Sequence, residues 1–91
     1  MRLVVGTATG GQVKNTKDRV RVIEFHARSD NKNSVYVGTS DVSATNGREL
    51  VPGESVTFRM DLAIRDGSVT FDTFHTSVSG SGKVDFSALT E

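Results

Sequence analysis

Apolar and polar residues alternate most regularly between positions 56 and 64. The apolar members of this run are Val56, Phe58, Met60, Leu62 and Ile64. Successive side chains of a β-strand point to opposite faces, so five apolar residues at period two indicate a strand with one buried and one wet face. A helix would spread the same residues around its circumference. We therefore predict one long strand across residues 56–64.

A hairpin is predicted directly after this strand. Asp66-Gly67 is a dipeptide typical of tight type I′ turns. Beyond it, Val69 and Phe71 resume the alternation of apolar and polar positions. The predicted neighbour of strand 56–64 is therefore the segment that begins at Val69.

The segment 20–27 also has the composition of a strand, but the parity of its apolar residues changes partway. Val20 and Val22 share one face, whereas Ile23, Phe25 and Ala27 share the other. Two interpretations remain open: a β-bulge near Val22-Ile23, or a strand that is covered on both faces at that point.

Shorter strands and turns fill the rest of the chain. Val35–Val37 is rich in strand-forming residues, Pro52-Gly53 suits the centre of a type II turn, and residues 84–89 form the last predicted strand. No segment keeps helical spacing over three turns. Several short strands separated by turn signals predict an all-β fold, an antiparallel β-sandwich or a jelly-roll-like barrel.

The predicted organisation is a single β domain over residues 1–91, with residues 1–18 available as a flexible N-terminal arm. The predicted core consists of the apolar residues on the inward parity of these strands. They are Ile23, Phe25, Val35, Val37, Val56, Phe58, Met60, Leu62, Ile64, Val69, Phe71 and Phe86.

Composition narrows the classes of partner. Eleven basic and eleven acidic side chains give a formal charge of zero, so no bulk field favours nucleic acid or an anionic membrane. The absence of cysteine excludes disulfide-stapled scaffolds. Since no apolar run approaches the roughly 18 residues of a membrane span or the core of a signal peptide, we expect a chain that stays in the cytoplasm where it is made.

The charges are unevenly distributed along the chain. Residues 1–28 carry six basic and two acidic side chains, whereas residues 61–91 carry two basic and five acidic ones. One interpretation is that these are solvated strand faces. The other is a dipolar subunit whose basic surface contacts the acidic surface of a neighbour.

Two loops resemble ligand-binding motifs but lack essential parts. Gly80-Ser81-Gly82-Lys83 is similar to the end of a phosphate-binding loop, yet Val84 replaces the hydroxyl residue that holds Mg²⁺, and a strand rather than a helix follows. Asp30–Asn33 is similar to the start of a calcium loop but lacks its glycine and closing glutamate. We predict no nucleotide and no calcium at either loop.

The histidines offer little catalytic chemistry. His26 and His75 are the only two, with no spacing typical of zinc ligands and no Gly-x-Ser-x-Gly elbow to expose a nucleophile. A solvent-facing or hydrogen-bonded structural role is favoured for His26. The sequence therefore predicts no enzyme, no catalytic, cofactor-binding or metal-binding residues, and no cofactor.

A basic stripe of Arg19, Arg21 and Arg28 is interrupted by Glu24. Nucleic-acid surfaces usually interleave basic residues with exposed aromatics, but Tyr36 is the only tyrosine and the phenylalanines mostly occupy core parity. A protein interface or plain solvated surface is favoured over a nucleic-acid site.

Several turn and strand motifs occur together in an order that resembles a recurrent stretch of small structural proteins of tailed bacteriophages. The resemblance covers residues 24–60 well and the remainder loosely. It is carried by Phe25-His26-Ala27-Arg28-Ser29-Asp30-Asn31, Val35-Tyr36-Val37-Gly38, Asp41-Val42-Ser43 and Leu50-Val51-Pro52-Gly53-Glu54-Ser55-Val56, with Gly82-Lys83-Val84-Asp85-Phe86 near its end.

The resemblance implies a virion component, assembled in the host cytoplasm, and most plausibly a capsid decoration (cement) protein. Such proteins bind the outer lattice of the head and brace it against the pressure of the packaged DNA. The implied partners are the major capsid protein or another virion protein, with the chain acting as a homo-oligomer or as many copies on a lattice. Many decoration proteins have a longer N-terminal arm than residues 1–18 provide.

Two alternatives remain open. A tail or head–tail accessory protein fits the resemblance equally well on grounds of fold. A carbohydrate-binding β-sandwich is the other alternative, although sugar sites usually stack the ring on an exposed aromatic and Tyr36 is the one candidate.

Overall fold

The computed structural model describes residues 1–63 and 67–91, which form two antiparallel β-sheets in a sandwich-like, all-β fold. The larger sheet has the order β1-β9-β3-β6, with β7 also paired to β3, and the smaller sheet has the order β2-β8-β4-β5. The elements are β1 Arg2–Ala8, β2 Gly11–Gln12, β3 Arg19–Ala27, β4 Val35–Gly38, β5 Arg48–Leu50, β6 Ser55–Arg59, α1 Met60–Ala63, β7 Val69–Thr70, a 3₁₀ helix Phe71–Thr73, β8 His75–Ser77 and β9 Val84–Thr90. The predicted fold class is confirmed.

The core lies between the two sheets. Its buried apolar residues are Ala8, Val20, Ile23, Phe25, Ala27, Val35, Val37, Leu50, Phe71, Phe74, Val84, Phe86 and Ala88. Six predicted members are among them, and Val56, Phe58, Met60 and Val69 pack against the cluster while partly exposed. Edge-to-face contacts such as Phe71 with Phe86, whose ring centroids are 5.7 Å apart, fix the packing of the aromatic rings.

A β-bulge in β3 explains the change of parity seen in the sequence. Val20 pairs with Thr90 and Val22 with Leu89, so Arg21 is an extra residue in the ladder with β9. After the bulge, Ile23, Phe25 and Ala27 all face the core. The bulge interpretation is confirmed, one to two residues before the predicted position.

The prediction of one strand across residues 56–64 is wrong in its second half. β6 ends at Arg59, and Met60–Ala63 form the short helix α1. Leu62, predicted to be in the core, is 75% exposed. Ile64, also predicted there, lies outside the described residues.

The predicted hairpin is wrong as well, because β7 does not pair with β6. Both strands pair with the same side of β3: β6 with residues Val22–His26, and β7 with Arg19 and Val20. Phe71 belongs to the 3₁₀ helix and not to a strand. Asp66 of the predicted turn lies outside the described residues.

The turn at Pro52-Gly53 is confirmed. The N–H of Glu54 donates to the carbonyl of Val51 at 2.9 Å, and Gly53 has a φ of +90°, as the third residue of a type II turn requires. This turn joins β5 of the smaller sheet to β6 of the larger one.

The glycine-rich loop 79–83 is a crossover and not a hairpin loop. β8 pairs with β2 and β4, whereas β9 pairs with β1 and β3. The loop therefore carries the chain from the smaller to the larger sheet.

The first 18 residues contain two strands. β1 pairs with β9 along its whole length, from Arg2 opposite Thr90 to Ala8 opposite Val84. The chain then passes through Gly10 and Gly11, both at positive φ, and enters the smaller sheet as β2. No helix of the described residues is long and apolar enough to cross a bilayer.

Candidate functional site

The outer face of the larger sheet, turned away from the core, is a grid of residues ordered by the pairing of neighbouring strands. Cross-strand pairing orders it into three rows that run from β1 through β9 and β3 to β6. The rows are Leu3–Leu89–Val22–Arg59, Val5–Ser87–Glu24–Thr57 and Thr7–Asp85–His26–Ser55. One end of the face is therefore apolar and the other polar.

The polar end is built around Asp85. Arg28 Nε donates to Asp85 Oδ2 at 3.0 Å and Arg28 Nη2 to Asp85 Oδ1 at 3.0 Å, while Thr7 Oγ1 donates to Oδ1 at 2.7 Å. The hydrogen bonds from Arg28, and then that from Thr7, hold the pKa of Asp85 below its ordinary value. This network ties β1, the end of β3 and β9 together.

A serine and a histidine meet in the same row. His26 Nδ1 lies 2.7 Å from Ser55 Oγ, and Asp85 is the register neighbour of His26 on its other side. In a catalytic triad the carboxylate orients the imidazole, but the hydrogen bonds of Asp85 in the described residues go to Arg28 and Thr7. The contact ties β3 to β6, and we assign it no catalytic role.

The apolar end of the outer face lies beside the free edge of the sheet. Leu3 is 64% and Val5 66% exposed, and Leu3 neighbours the half-buried pair Leu89 and Val22. No strand of the described residues pairs with the other side of β1. An exposed apolar corner next to an unpaired strand edge is typical of a protein-interaction surface.

The sequence interpretation missed this surface. Leu3-Val4-Val5 lies within residues 1–18, the available N-terminal arm, where the sequence interpretation predicts no strand. Its β-branched residues are typical of a strand, which is the signal that would have found it.

The two loops that resemble ligand-binding motifs lie side by side. Residues 30–33 and 79–83 line a cleft of about 430 Å³. The amide of Asn31 clips them together: its Nδ2 donates to the carbonyl of Lys83 at 2.8 Å, and its Oδ1 accepts from the N–H of Lys83 at 3.0 Å. Asn31 is thus occupied in fixing the loops. No group of three or more metal-ligating side chains occurs in residues 1–63 and 67–91.

Two of the three arginines of the basic stripe form ion pairs within the chain. Arg21 Nη1 lies 3.2 Å from Glu91 Oε1, and Arg28 is held by Asp85. Arg19 Nε donates to the neutral hydroxyl of Ser68 at 2.9 Å and keeps its charge. The stripe therefore presents less free positive charge than its sequence suggests.

The uneven distribution of charge along the chain is also partly balanced by ion pairs within the molecule. Among the residues that the structure describes, three ion pairs join the basic N-terminal to the acidic C-terminal segment: Lys17–Asp72, Arg21–Glu91 and Arg28–Asp85. They form because β3 lies next to β9 and Asp72 follows β7, which also pairs with β3. Much of the opposite charge of the two segments is paired within the molecule, which argues against the dipolar interpretation.

The remaining candidate residues of the sequence analysis are His75 and Tyr36. His75 Nδ1 lies 3.2 Å from the carbonyl of Thr73, two residues away. Tyr36 is half-buried in β4, opposite Glu49 of β5 and Ser77 of β8. Both residues lie in strands of the smaller sheet.

Comparisons with known proteins give no relative from which a function can be transferred. No family model, no curated protein and no solved structure matches the chain. The candidate functional surface of this all-β chain therefore rests on its own geometry: the outer face of the larger sheet and the free edge of β1.

Proposed function

We propose that this protein is a structural component of a tailed-phage virion, most specifically a capsid decoration protein that binds the outer lattice of the head. The proposal starts from the resemblance carried by residues 24–60. It draws its physical support from the outer face and free edge of the larger sheet.

The motifs that carry the resemblance have local physical reasons. Gly47 has a φ of +138°, and a Cβ there would lie 2.6 Å from Val42 Cγ2 and 3.0 Å from the carbonyl oxygen of Val37. Asp41 accepts hydrogen bonds from Thr39 at 2.9 Å and Asn46 at 2.9 Å, which hold its pKa below the ordinary value. These residues are needed to build the β4–β5 connection. The resemblance at these positions therefore supports a shared fold more directly than a shared function.

The observation that carries the functional proposal is the apolar corner of Leu3, Val5, Leu89 and Val22 beside the unpaired β1 edge. Decoration of a lattice requires surface contact repeated over many copies. A sheet face with an open edge provides such contact, to the shell or to neighbouring copies, through apolar burial and main-chain hydrogen bonds. Because each copy has zero formal charge, many copies can crowd together without mutual repulsion.

Binding to heads tests the proposal directly. Purified protein is titrated onto phage heads that lack their decoration protein, and bound copies are counted after sedimentation of the heads. We expect saturable binding at a fixed number of copies per lattice unit. Heads that bind no protein, or that bind it without saturation, would contradict the proposal.

A matched pair of variants locates the docking surface. Val5→Lys places a charge in the apolar corner, whereas Leu62→Lys places one at an equally exposed apolar residue on α1. We expect at least a tenfold loss of affinity for Val5→Lys and little change for Leu62→Lys. Equal losses from both variants would contradict docking through the apolar corner.

Labelling of intact particles separates the head from the tail. Gold-labelled antibody against the protein is expected over the head surface. Label confined to the tail or to the head–tail junction would replace the decoration proposal with that of an accessory protein.

A further inference from the structure

The free edge of β1 is the longest unprotected strand edge of the described residues. β1 has seven residues, whereas the edge strands β2 and β5 have two and three, and the five-residue β6 ends in Arg59. Natural proteins usually blunt such an edge with charges, proline or a bulge. From Leu3 to Ala8, β1 has none of these.

The sequence of β1 is complementary to itself in an antiparallel ladder centred on Val4. In that register Leu3 lies opposite Val5 of the other copy and Val5 opposite its Leu3, so both exposed apolar residues are matched. Arg2, the one charged residue of the strand, lies opposite Gly6 and not opposite another arginine. Directly opposed apolar pairs stabilise a sheet, and like charges in that position destabilise it.

Neighbouring registers fit less well. A ladder centred on Val5 places Leu3 opposite Thr7, and one centred on Leu3 pairs only residues 2–4 of β1 with each other. The Val4-centred ladder pairs residues 2–6 of β1 in both copies and places Leu3 opposite Val5, the two exposed apolar residues of the strand.

The outer face continues this complementarity beyond the edge. Leu3 neighbours Leu89, and Leu89 neighbours Val22, on the same face. Pairing at β1 therefore joins the apolar corners of two copies into one strip across a continuous sheet, and Leu3 and Val5 lose their exposure.

We propose that the β1 edge pairs with the β1 edge of a second copy of this chain, antiparallel and centred on Val4, to form a two-fold symmetric dimer. The inference goes beyond the virion proposal and does not depend on it. A seven-residue edge buries less than the roughly 1,200 Å² of a standard stable interface. The dimer is therefore weak in solution, and holding copies close together on a lattice strengthens it.

Sedimentation equilibrium across a range of protein concentrations tests the dimer. We expect a reversible monomer–dimer equilibrium for the wild type and for Leu62→Lys, and at least a tenfold weaker one for Val5→Lys, whose fold is verified by its circular dichroism spectrum. A wild type that remains monomeric up to about millimolar concentration overturns the proposal. So does an equal effect of the two lysine variants.

Single cysteines test the register, because the chain contains no cysteine of its own. Leu3→Cys and Val5→Cys proteins are oxidised alone and as an equimolar mixture. The Val4-centred ladder predicts that the mixed disulfide dominates over either homodimer. A statistical mixture, or a dominant Val5→Cys homodimer, overturns this register.

Head binding distinguishes this inference from the proposed function. If the wild-type protein dimerises but does not bind heads, the dimer inference stands and the virion proposal is contradicted. Protein that is monomeric, but whose head binding is lost in Val5→Lys, places Val5 in the contact with the head and overturns self-pairing.

Discussion

β9 and the segment 55–63 have similar alternating patterns but different structures. In β9, Val84, Phe86, Ala88 and Thr90 are all buried, and the strand is paired on both sides, with β1 and β3. In the second segment the pattern runs on through Leu62, yet the strand stops at Arg59 and is paired with β3 alone. Alternation therefore indicates that a segment can form a strand. The length of that strand is set by how many residues of a neighbouring strand are available to pair with it.

The partner ends at the bulge in β3. Arg59 lies opposite Val22, and the next residue of β3 is the bulged Arg21. Beyond the bulge, Val20 and Arg19 already pair with β7. A longer β6 would compete with β7 for the same edge, so the chain turns away as α1.

The largest expected difference between the two regions concerns their phenylalanines. Phe86 is buried against Phe71, whereas Phe58 is only partly buried. We expect Phe86→Ala to lower the free energy of unfolding by about 3–5 kcal/mol, as for other buried aromatics. Phe58→Ala should cost about half as much. Urea unfolding measures both, and equal costs would contradict the difference in burial.

The packing of β1 on β9 gives the next largest effect. A Cβ at Gly6 would lie 2.7 Å from Cζ of the Phe86 ring, so the ring must move. We expect Gly6→Ala to cost about 1–3 kcal/mol. Phe86→Leu removes the ring, so adding Gly6→Ala to that variant should cost less. Strict additivity of the two substitutions in a double-mutant cycle would show that the ring does not occupy this space.

A smaller and pH-dependent effect is expected at Asp85. Because hydrogen bonds from Arg28 and Thr7 depress the pKa of the folded-state carboxyl below 3.8, their stabilisation is present above that value and is lost as the pH falls through the lower folded-state pKa. We expect Asp85→Asn to lower Tm modestly at pH 7, and the Tm difference from the wild type to shrink as the pH falls below 3.8. A Tm difference that is constant with pH would contradict an ionic origin.

The smallest effect is expected at Leu62. As this side chain is 75% exposed, Leu62→Ser should change the free energy of unfolding by no more than about 0.5 kcal/mol. Val84→Ser, at a buried position of β9, serves as the contrast and should cost several times more. A large loss of unfolding free energy in Leu62→Ser would instead support the long strand that the sequence predicts.

Local features of the fold could be predicted from the sequence. The bulge in β3 is visible as a change of parity between Val22 and Ile23, and the turn at Pro52-Gly53 follows from the conformations that these two residues favour. Both depend on neighbouring residues alone, so no knowledge of distant partners is needed.

Features that depend on distant partners could not be predicted. The end of β6 depends on β7, because β7 pairs with the part of β3 that a longer β6 would need. The network of Thr7, Arg28 and Asp85 depends on a register between segments more than 50 residues apart. Leu50 and Phe74 enter the core without any alternating pattern around them, because the opposite sheet covers them.

A reconstruction of heads saturated with this protein tests the central claim most directly. We propose that this β-sandwich acts through the open edge and apolar corner of its larger sheet. The account predicts added density on the outside of the head, with Leu3 and Val5 of each copy inside a protein contact. Heads without added density, or copies bound with the β1 edge left in solvent, would contradict it.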